Sequence, residues 1–315
     1  LIRQQPAIVV FGPTAVGKTA FIKRLFSRTC PVEIINADSM QVYRHLDIGT
    51  AKPSGQLLER IPHHLIDIVE PDQQFNAGEF VRRAERLTGE ILGRGRLPLL
   101  CGGAAYYLRS FINGLPDSPP GDLRIRKSLR RQLQIHGLQP LLQELERVDP
   151  VTRAALHERD SYRIIRALEV FRSSGRSLSS FTRPVVPRRS YRFLLIGLIR
   201  ERGQLYERIN ERVERMFAAG LVEEVRKLLR MGYGYEDPGM RGIGYREFFE
   251  MRSGCLTICQ VKEMIKMHSR RYAKRQITFF KSLPEVRWED PEGTGRLDSL
   301  MEEFISTHLP DRQGS

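Results

Sequence analysis

Gly12-Pro13-Thr14-Ala15-Val16-Gly17-Lys18-Thr19 fits G-x-x-x-x-G-K-[ST], the pattern of a phosphate-binding loop. Before it runs Ala7-Ile8-Val9-Val10-Phe11, a short apolar stretch that reads as a buried strand. After it, Ala20 to Phe26 carries apolar residues at helical spacing. Strand, glycine-containing loop and helix in that order form an anion site. The loop curls its N–H groups toward phosphate oxygens and the helix N-terminus adds positive potential. Lys18 brings a mobile charge, and Thr19 a hydroxyl that can hold Mg²⁺. Such a loop accepts pyrophosphate as readily as ATP, so the motif by itself leaves the phosphate's owner open.

Outward from the loop, strands and helices alternate, the pattern of a doubly wound α/β sheet. Val32-Glu33-Ile34-Ile35 reads as a second strand running into Asn36-Ala37-Asp38. Residues Ala77 to Leu92 read as a helix, followed by the strand Leu97-Pro98-Leu99-Leu100-Cys101 and Gly102-Gly103. Ligands of open parallel sheets bind at the carboxyl ends of strands. The loop, Asp38 and Gly102–Ala104 are therefore expected around one crevice.

The pattern breaks at Gly114-Leu115-Pro116-Asp117-Ser118-Pro119-Pro120-Gly121. Asp122 to Phe171 reads as helical, with turns near Gly137 and Asp149-Pro150, and Gly175 to Pro187 as a loop. Tyr191 to Leu198 then resumes a strand. The expectation is a P-loop parallel-sheet core over residues 1–118 and 190–315, interrupted by a helical insertion over 119–189. Leu205, Ile209, Val213, Met216, Phe217, Leu221, Val225 and Leu228 trace an apolar helical stripe that is most simply core packing.

The chain has 315 residues and 51 Lys+Arg against 37 Asp+Glu, a net charge of +14, which points to a polyanionic partner, nucleic acid before membrane. There is no run of transmembrane length and no signal-peptide pattern at the start. A cytoplasmic, monomeric protein without a membrane partner is expected. The four cysteines, Cys30, Cys101, Cys255 and Cys259, are too few and scattered for a disulfide framework and poorly spaced for zinc. Lys262, Lys266, Arg270 and Lys274 recur every four residues, a ridge of like charge with only Glu263 to relieve it. Arg271, Arg275 and Lys281 thicken it and Tyr272, Phe279 and Phe280 add aromatics, a pattern suited to nucleic-acid backbone.

Asp38 is the first catalytic candidate, either a general base or a magnesium ligand beside bound phosphate. A turn or N-cap aspartate is the plainer alternative. A kinase using the loop for ATP is the competing function. Against it, the best buried strand ends in Cys101 and glycines where an ATPase would place an acid, and Asp67 follows only a short strand. His63 and His64, adjacent on a strand, face apart and make no metal pair.

Several stretches together resemble the tRNA dimethylallyltransferase (tRNA isopentenyltransferase) family. They are Gly12–Thr19, Asn36 to Tyr43, Asp47 to Pro53, Pro62 to Asp67, Arg163 to Val170, Arg241 to Glu247 and Tyr272 to Lys281, in order along most of the chain. The resemblance implies transfer of a dimethylallyl group from dimethylallyl diphosphate to N6 of the adenosine immediately 3′ of the tRNA anticodon, with Mg²⁺ and without ATP hydrolysis. By motif, Gly12, Pro13, Thr14, Ala15, Val16, Gly17, Lys18 and Thr19 would cradle the leaving diphosphate, with Thr19 on the metal. Asp38 would accept the proton of the exocyclic amine, and Ser39, Met40 and Gln41 would help hold the adenine. Tyr162-Arg163-Ile164-Ile165-Arg166, Arg241-Gly242-Ile243-Gly244-Tyr245-Arg246 and Lys274-Arg275-Gln276-Ile277-Thr278-Phe279-Phe280-Lys281 match tRNA-contacting stretches, and Arg126 a further such position.

The chemistry asks for this division of labour. An adenine amine is a poor nucleophile and needs a carboxylate within reach. Diphosphate leaves well only if fixed donors meet its growing charge. A base to be modified must leave its stack and enter a pocket. One departure from the family stands out: the expected Gly-Gly-Thr reads Gly102-Gly103-Ala104, and that position would line the channel where amine and diphosphate meet, within reach of tRNA.

Overall fold

The apolar run before the loop is central to the architecture. In the computed structural model, which describes residues 4–26, 31–182, 184–250, 257–293 and 296–309, β1 (Gln5–Phe11) is buried from Ala7 to Phe11. It is paired in parallel on both sides. A strand covered on both faces reads as a continuous hydrophobic run, as β1 does, rather than as an alternating one.

The other strands are β2 (Val32–Asn36), β3 (His63–His64), β4 (Leu97–Gly102), β5 (Tyr191–Leu198) and β6 (Arg287–Glu289). Their order is β3-β2-β4-β1-β5-β6, every pair parallel. Crossovers carry α1 (Lys18–Phe26), α2 (Gly55–Arg60), α3 (Ala77–Gly93) and α4 (Ala105–Asn113). The α3 helix starts where Asn76 accepts from Glu79 N at 3.0 Å, an N-cap that satisfies an otherwise orphaned donor.

The chain forms two compact units, one of Leu1–Ile112 with Arg188–Ser315 and one of Asn113–Pro187. The smaller holds α5 (Leu123–His136), α6 (Gln139–Val148), α7 (Pro150–Ala155) and α8 (Ser161–Ser174). Its core is Leu129, Leu141, Leu145, Ile164 and Leu168. Asp122, Asp149 and Asp160 cap α5, α7 and α8, and Gly175 ends α8 in the left-handed region. The turns expected at Gly137 and Asp149 are present; a further break before Asp160 was not anticipated.

After β5 the larger unit adds α9 (Arg202–Ala218), α10 (Leu221–Arg230), α11 (Glu247–Glu250), α12 (Ile258–Phe280) and α13 (Arg296–His308). The stripe Leu205, Ile209, Val213 and Met216 is buried, as core packing requires. The α12 helix opens on a capping box between Thr257 and Gln260. Phe280 stacks on Phe11 with ring centroids 4.6 Å apart, so α12 rests on the end of β1 where the loop begins. Cys101 is buried and Cys259 exposed; Cys30 and Cys255 lie outside the described residues.

Candidate active site

Between β1 and α1 the loop turns through Ala15 at φ 61° and Gly17 at φ 117°, the latter a conformation that glycine adopts at little cost. Its carbonyls are engaged. Lys18 Nζ donates to Gly12 O at 2.9 Å and Pro13 O at 3.0 Å. Arg208 Nε donates to Ala15 O at 3.0 Å and Arg200 Nε to Val16 O at 2.9 Å. With these acceptors satisfied by cations, the loop is a concentrated positive site. Removal of the Lys18 ammonium from water lowers its pKa to about 8, opposed by Cys101 and Asp38 and assisted by Arg212. The same burial pushes the Cys101 thiol up to about 12. Thr19 is exposed on the first turn of α1.

Asp38 stands just past the end of β2, where Ala37 N donates to Cys101 O at 2.8 Å and Ala104 N to Ala37 O at 3.0 Å. One carboxylate oxygen, Oδ1, accepts from Met40 N at 2.8 Å and Gln41 N at 3.3 Å. This local turn fixes the carboxylate and, among the described residues, leaves Oδ2 without a hydrogen bond. Thr14, Asp38, Ser39, Met40, Arg212 and Tyr272 line one cavity of about 270 Å³, together with Gly242, Ile243, Arg246 and Arg275. Burial raises the Tyr272 hydroxyl to about 12, and the Asp38 charge adds to the effect. Thr14 of the loop and Asp38 thus line one cavity, whereas Gly102, Gly103 and Ala104 are not among its lining residues.

Arg212 escaped the sequence reading. It donates to Thr50 O at 3.1 Å, and burial lowers its pKa against the pull of Asp38. A detectable signal existed: Arg208 and Arg212 sit four apart beside the buried stripe of α9, where cations are not expected without an anion.

The segments expected at RNA divide by burial. Tyr162 and Arg163 are exposed on α8, whereas Ile164 and Ile165 belong to the core of the helical unit. Arg126 and Arg166 both bind buried Glu169, at 2.7 and 2.8 Å. Arg241 is exposed and paired with Glu236 at 2.6 Å. Tyr245 is fully buried and donates to Glu224 Oε1 at 2.7 Å. The other Glu224 contacts accept from the backbone N–H groups of Asp47, Ile48 and Gly49. Gly244 N donates to Glu247 at 2.9 Å, and Gln41 donates to Thr50 O and Ala51 O, each at 3.2 Å. On α12, Lys274, Arg275, Thr278 and Lys281 are exposed and Ile277 and Phe279 half-buried, while Gln276 and Phe280 are buried.

The side chains of Ile164, Ile165, Tyr245, Gln276 and Phe280 point into the protein, and the solvent-facing positions of these stretches lie among the others. A contiguous motif on a 3.6-residue period must turn some of its positions inward. The ridge is corrected: Lys262 and Lys266 pair with Glu214 of α9 at 2.7 and 2.6 Å, and Arg270 donates to Asn210 at 2.6 Å. Ala104 is buried at the start of the turn into α4.

Residues 41–283 match the family model described as IPP transferase. This chain belongs to the IPP transferase family. It is 44% identical over 305 residues to tRNA dimethylallyltransferase 1 of Syntrophotalea carbinolica, covering 96% of this chain and 97% of that one. It is 43% identical over 300 residues to the tRNA dimethylallyltransferase of Geobacter sulfurreducens, covering 95% and 96%. The crystal structure of a tRNA isopentenylpyrophosphate transferase from Bacillus halodurans superposes with a TM-score of 0.70 at 36% identity, over 97% of each chain. A eukaryotic dimethylallyltransferase captured acting on tRNA superposes with a TM-score of 0.79 at 25% identity, over 98% of this chain and 81% of the other. Like them, this IPP transferase family member is an α/β protein built on a parallel sheet. No helix among its described residues is long and apolar enough to cross a membrane.

Proposed function

We propose that this enzyme transfers the dimethylallyl group of dimethylallyl diphosphate to N6 of the tRNA adenosine next to the anticodon on its 3′ side, in the cytoplasm. The observation that carries the reading is one cavity lined both by Thr14 of the cationic phosphate loop and by Asp38, an aspartate with a carboxylate oxygen free of hydrogen bonds among the described residues.

In this reading the adenine enters beside Met40 and Ser39 with its exocyclic amine toward Asp38 Oδ2. The amine nitrogen bonds to the allylic carbon as the carbon–oxygen bond to diphosphate breaks. Asp38 takes the amine proton, and the leaving group stays on the loop amides and Lys18. Arg212 keeps a fixed positive charge on the same wall. The exposed cations Lys274, Arg275 and Lys281, and Tyr162 and Arg163 of the helical unit, are assigned to the RNA.

No three His, Cys, Asp or Glu side chains gather into a metal site among the described residues. A divalent ion would then be held chiefly by substrate phosphates with the exposed Thr19 hydroxyl, the mode that suits Mg²⁺. When bound, it would neutralise charge on the departing diphosphate. A kinase is not favoured: β4 ends in Cys101-Gly102 instead of an acid, and the named relatives are tRNA dimethylallyltransferases.

The test is to incubate the protein with unmodified tRNA, Mg²⁺ and dimethylallyl diphosphate, digest the RNA and analyse its nucleosides by mass. N6-dimethylallyladenosine is expected at the single anticodon-adjacent position. Its absence, with tRNA still bound, would refute the reading.

A further inference from the structure

Gln276 sits on the inward face of α12, only 3% exposed, between Ala273 and Phe280, which are fully buried. Its Oε1 accepts from Thr14 N at 2.9 Å, and its Nε2 donates to Gly103 O at 2.8 Å. The orientation of the amide is forced, since Thr14 N–H only donates and Gly103 C=O only accepts. Turned over, the side chain would set donor against donor and acceptor against acceptor.

The two partners belong to different parts of the site. Thr14 is in the phosphate loop after β1. Gly103 follows β4, and Ala104 next to it donates to Ala37 O, one residue before Asp38. A single side chain therefore closes a path of hydrogen bonds from the phosphate loop to the backbone bearing the carboxylate. The approach is close: a Cβ on Gly103 would come within 2.5 Å of Gln276 Nε2, so the glycine is needed for the amide to reach.

We propose that Gln276 is a positioning residue that fixes the phosphate loop relative to Asp38, and that it works only as a group that donates on one side and accepts on the other. Its catalytic effect rests on the prenyl-transfer reading above; its effect on the loop does not. Gln276 does not line the cavity, so it sets geometry and takes no part in the chemistry. A displacement of about 1 Å between reacting groups can cost about 100-fold in rate.

The variants are Gln276→Leu and Gln276→Glu, measured for kcat and KM with tRNA and dimethylallyl diphosphate, and for affinity toward inorganic pyrophosphate with Mg²⁺. Gln276→Leu is expected to lower kcat by about 10- to 100-fold, with tRNA KM changed less than about threefold. Its pyrophosphate affinity should also fall several-fold.

Gln276→Glu separates positioning from mere packing. A protonated carboxyl donates through its hydroxyl to Gly103 and accepts through its carbonyl from Thr14. The carboxylate can do only the second. Burial raises the pKa of such a carboxyl, so the variant should approach wild type near pH 6 and lose ground as pH rises toward 8.5. Only the pH differs between those measurements, so the result stands even if Gln276→Leu folds poorly.

A constant ratio of Gln276→Glu to wild type across this range in both kcat and pyrophosphate affinity would overturn the proposal. Unchanged kcat and pyrophosphate affinity in Gln276→Leu would overturn it too. If wild type forms no modified nucleoside, the prenyl-transfer reading fails, and the pyrophosphate titration still decides for or against Gln276.

Discussion

Lys18 Nζ donates to the carbonyl oxygen of Gly12, 2.9 Å away, so the cation proposed for phosphate lies against the backbone of its own loop. Its pKa of about 8 makes this arrangement pH-sensitive. Between about 8 and the ordinary value of 10.5 the unfolded chain binds more protons at Lys18 than the folded one, so this group's contribution to stability rises with pH there. Ligand binding runs the other way. Diphosphate favours the charged form, so the part of its affinity that Lys18 contributes should be full below pH 8 and fall above it, with proton uptake at Lys18. Calorimetry of pyrophosphate binding in buffers of different ionisation enthalpy checks this; Lys18→Met should abolish the uptake.

Asp38→Asn keeps the shape of the turn and removes the base. Prenyl transfer should fall by about 100- to 10,000-fold, while tRNA binding measured by gel shift stays within about twofold. Retained turnover would remove Asp38 from the proton transfer.

Cations on α12 should not be equivalent. Lys262 is paired with Glu214 and Lys266 with Glu214 and Glu263, whereas Lys274 and Lys281 make no ion pair among the described residues. Replacing Lys274 or Lys281 with Gln should reduce the salt dependence of tRNA binding by about one unit of log–log slope each. The same change at Lys262 should leave the slope nearly unaltered. Affinities taken from 50 to 300 mM salt would separate the two classes (about four concentrations suffice).

Glu169 is fully buried and holds Arg126 and Arg166 together. Glu169→Ala leaves two cations confined without their carboxylate and should destabilise the protein by about 3–5 kcal/mol. Urea denaturation followed by circular dichroism measures the loss. Replacing exposed Arg163, whose nearest carboxylate is that of Asp160 at 3.5 Å, should cost under about 1 kcal/mol.

Ala104→Thr restores the residue the family pattern carries. Turnover is expected to rise or stay unchanged; a large loss in single-turnover assays would mean that this buried corner is built around alanine.

Much of the site was legible because its chemistry is written in contiguous residues. The loop, Asp38 and the β4 glycines could be joined because strand ends in a parallel sheet converge on one edge. Arg212 and Gln276 were not legible in those roles, since each reaches by hydrogen bonds to loop backbone far away in sequence, Thr50 for the one and Thr14 and Gly103 for the other. The neutralising partner of Lys262 lies on α9, 48 residues away, which no reading of α12 alone supplies. The edge strands β3 and β6 contain only two and three residues, too short to leave a periodic trace.

The register that pairs Gln5 with Tyr191 has a bearing on biosynthesis. One side of β1 meets its neighbour only after α4, the entire helical unit and β5 have left the ribosome. At about 5–20 residues per second that interval is roughly 10–40 s. Throughout it, Ile8, Val9 and Val10 have an unpaired flank, the kind of edge that recruits foreign strands. The compact helical unit, complete before β5 appears, can fold during the wait.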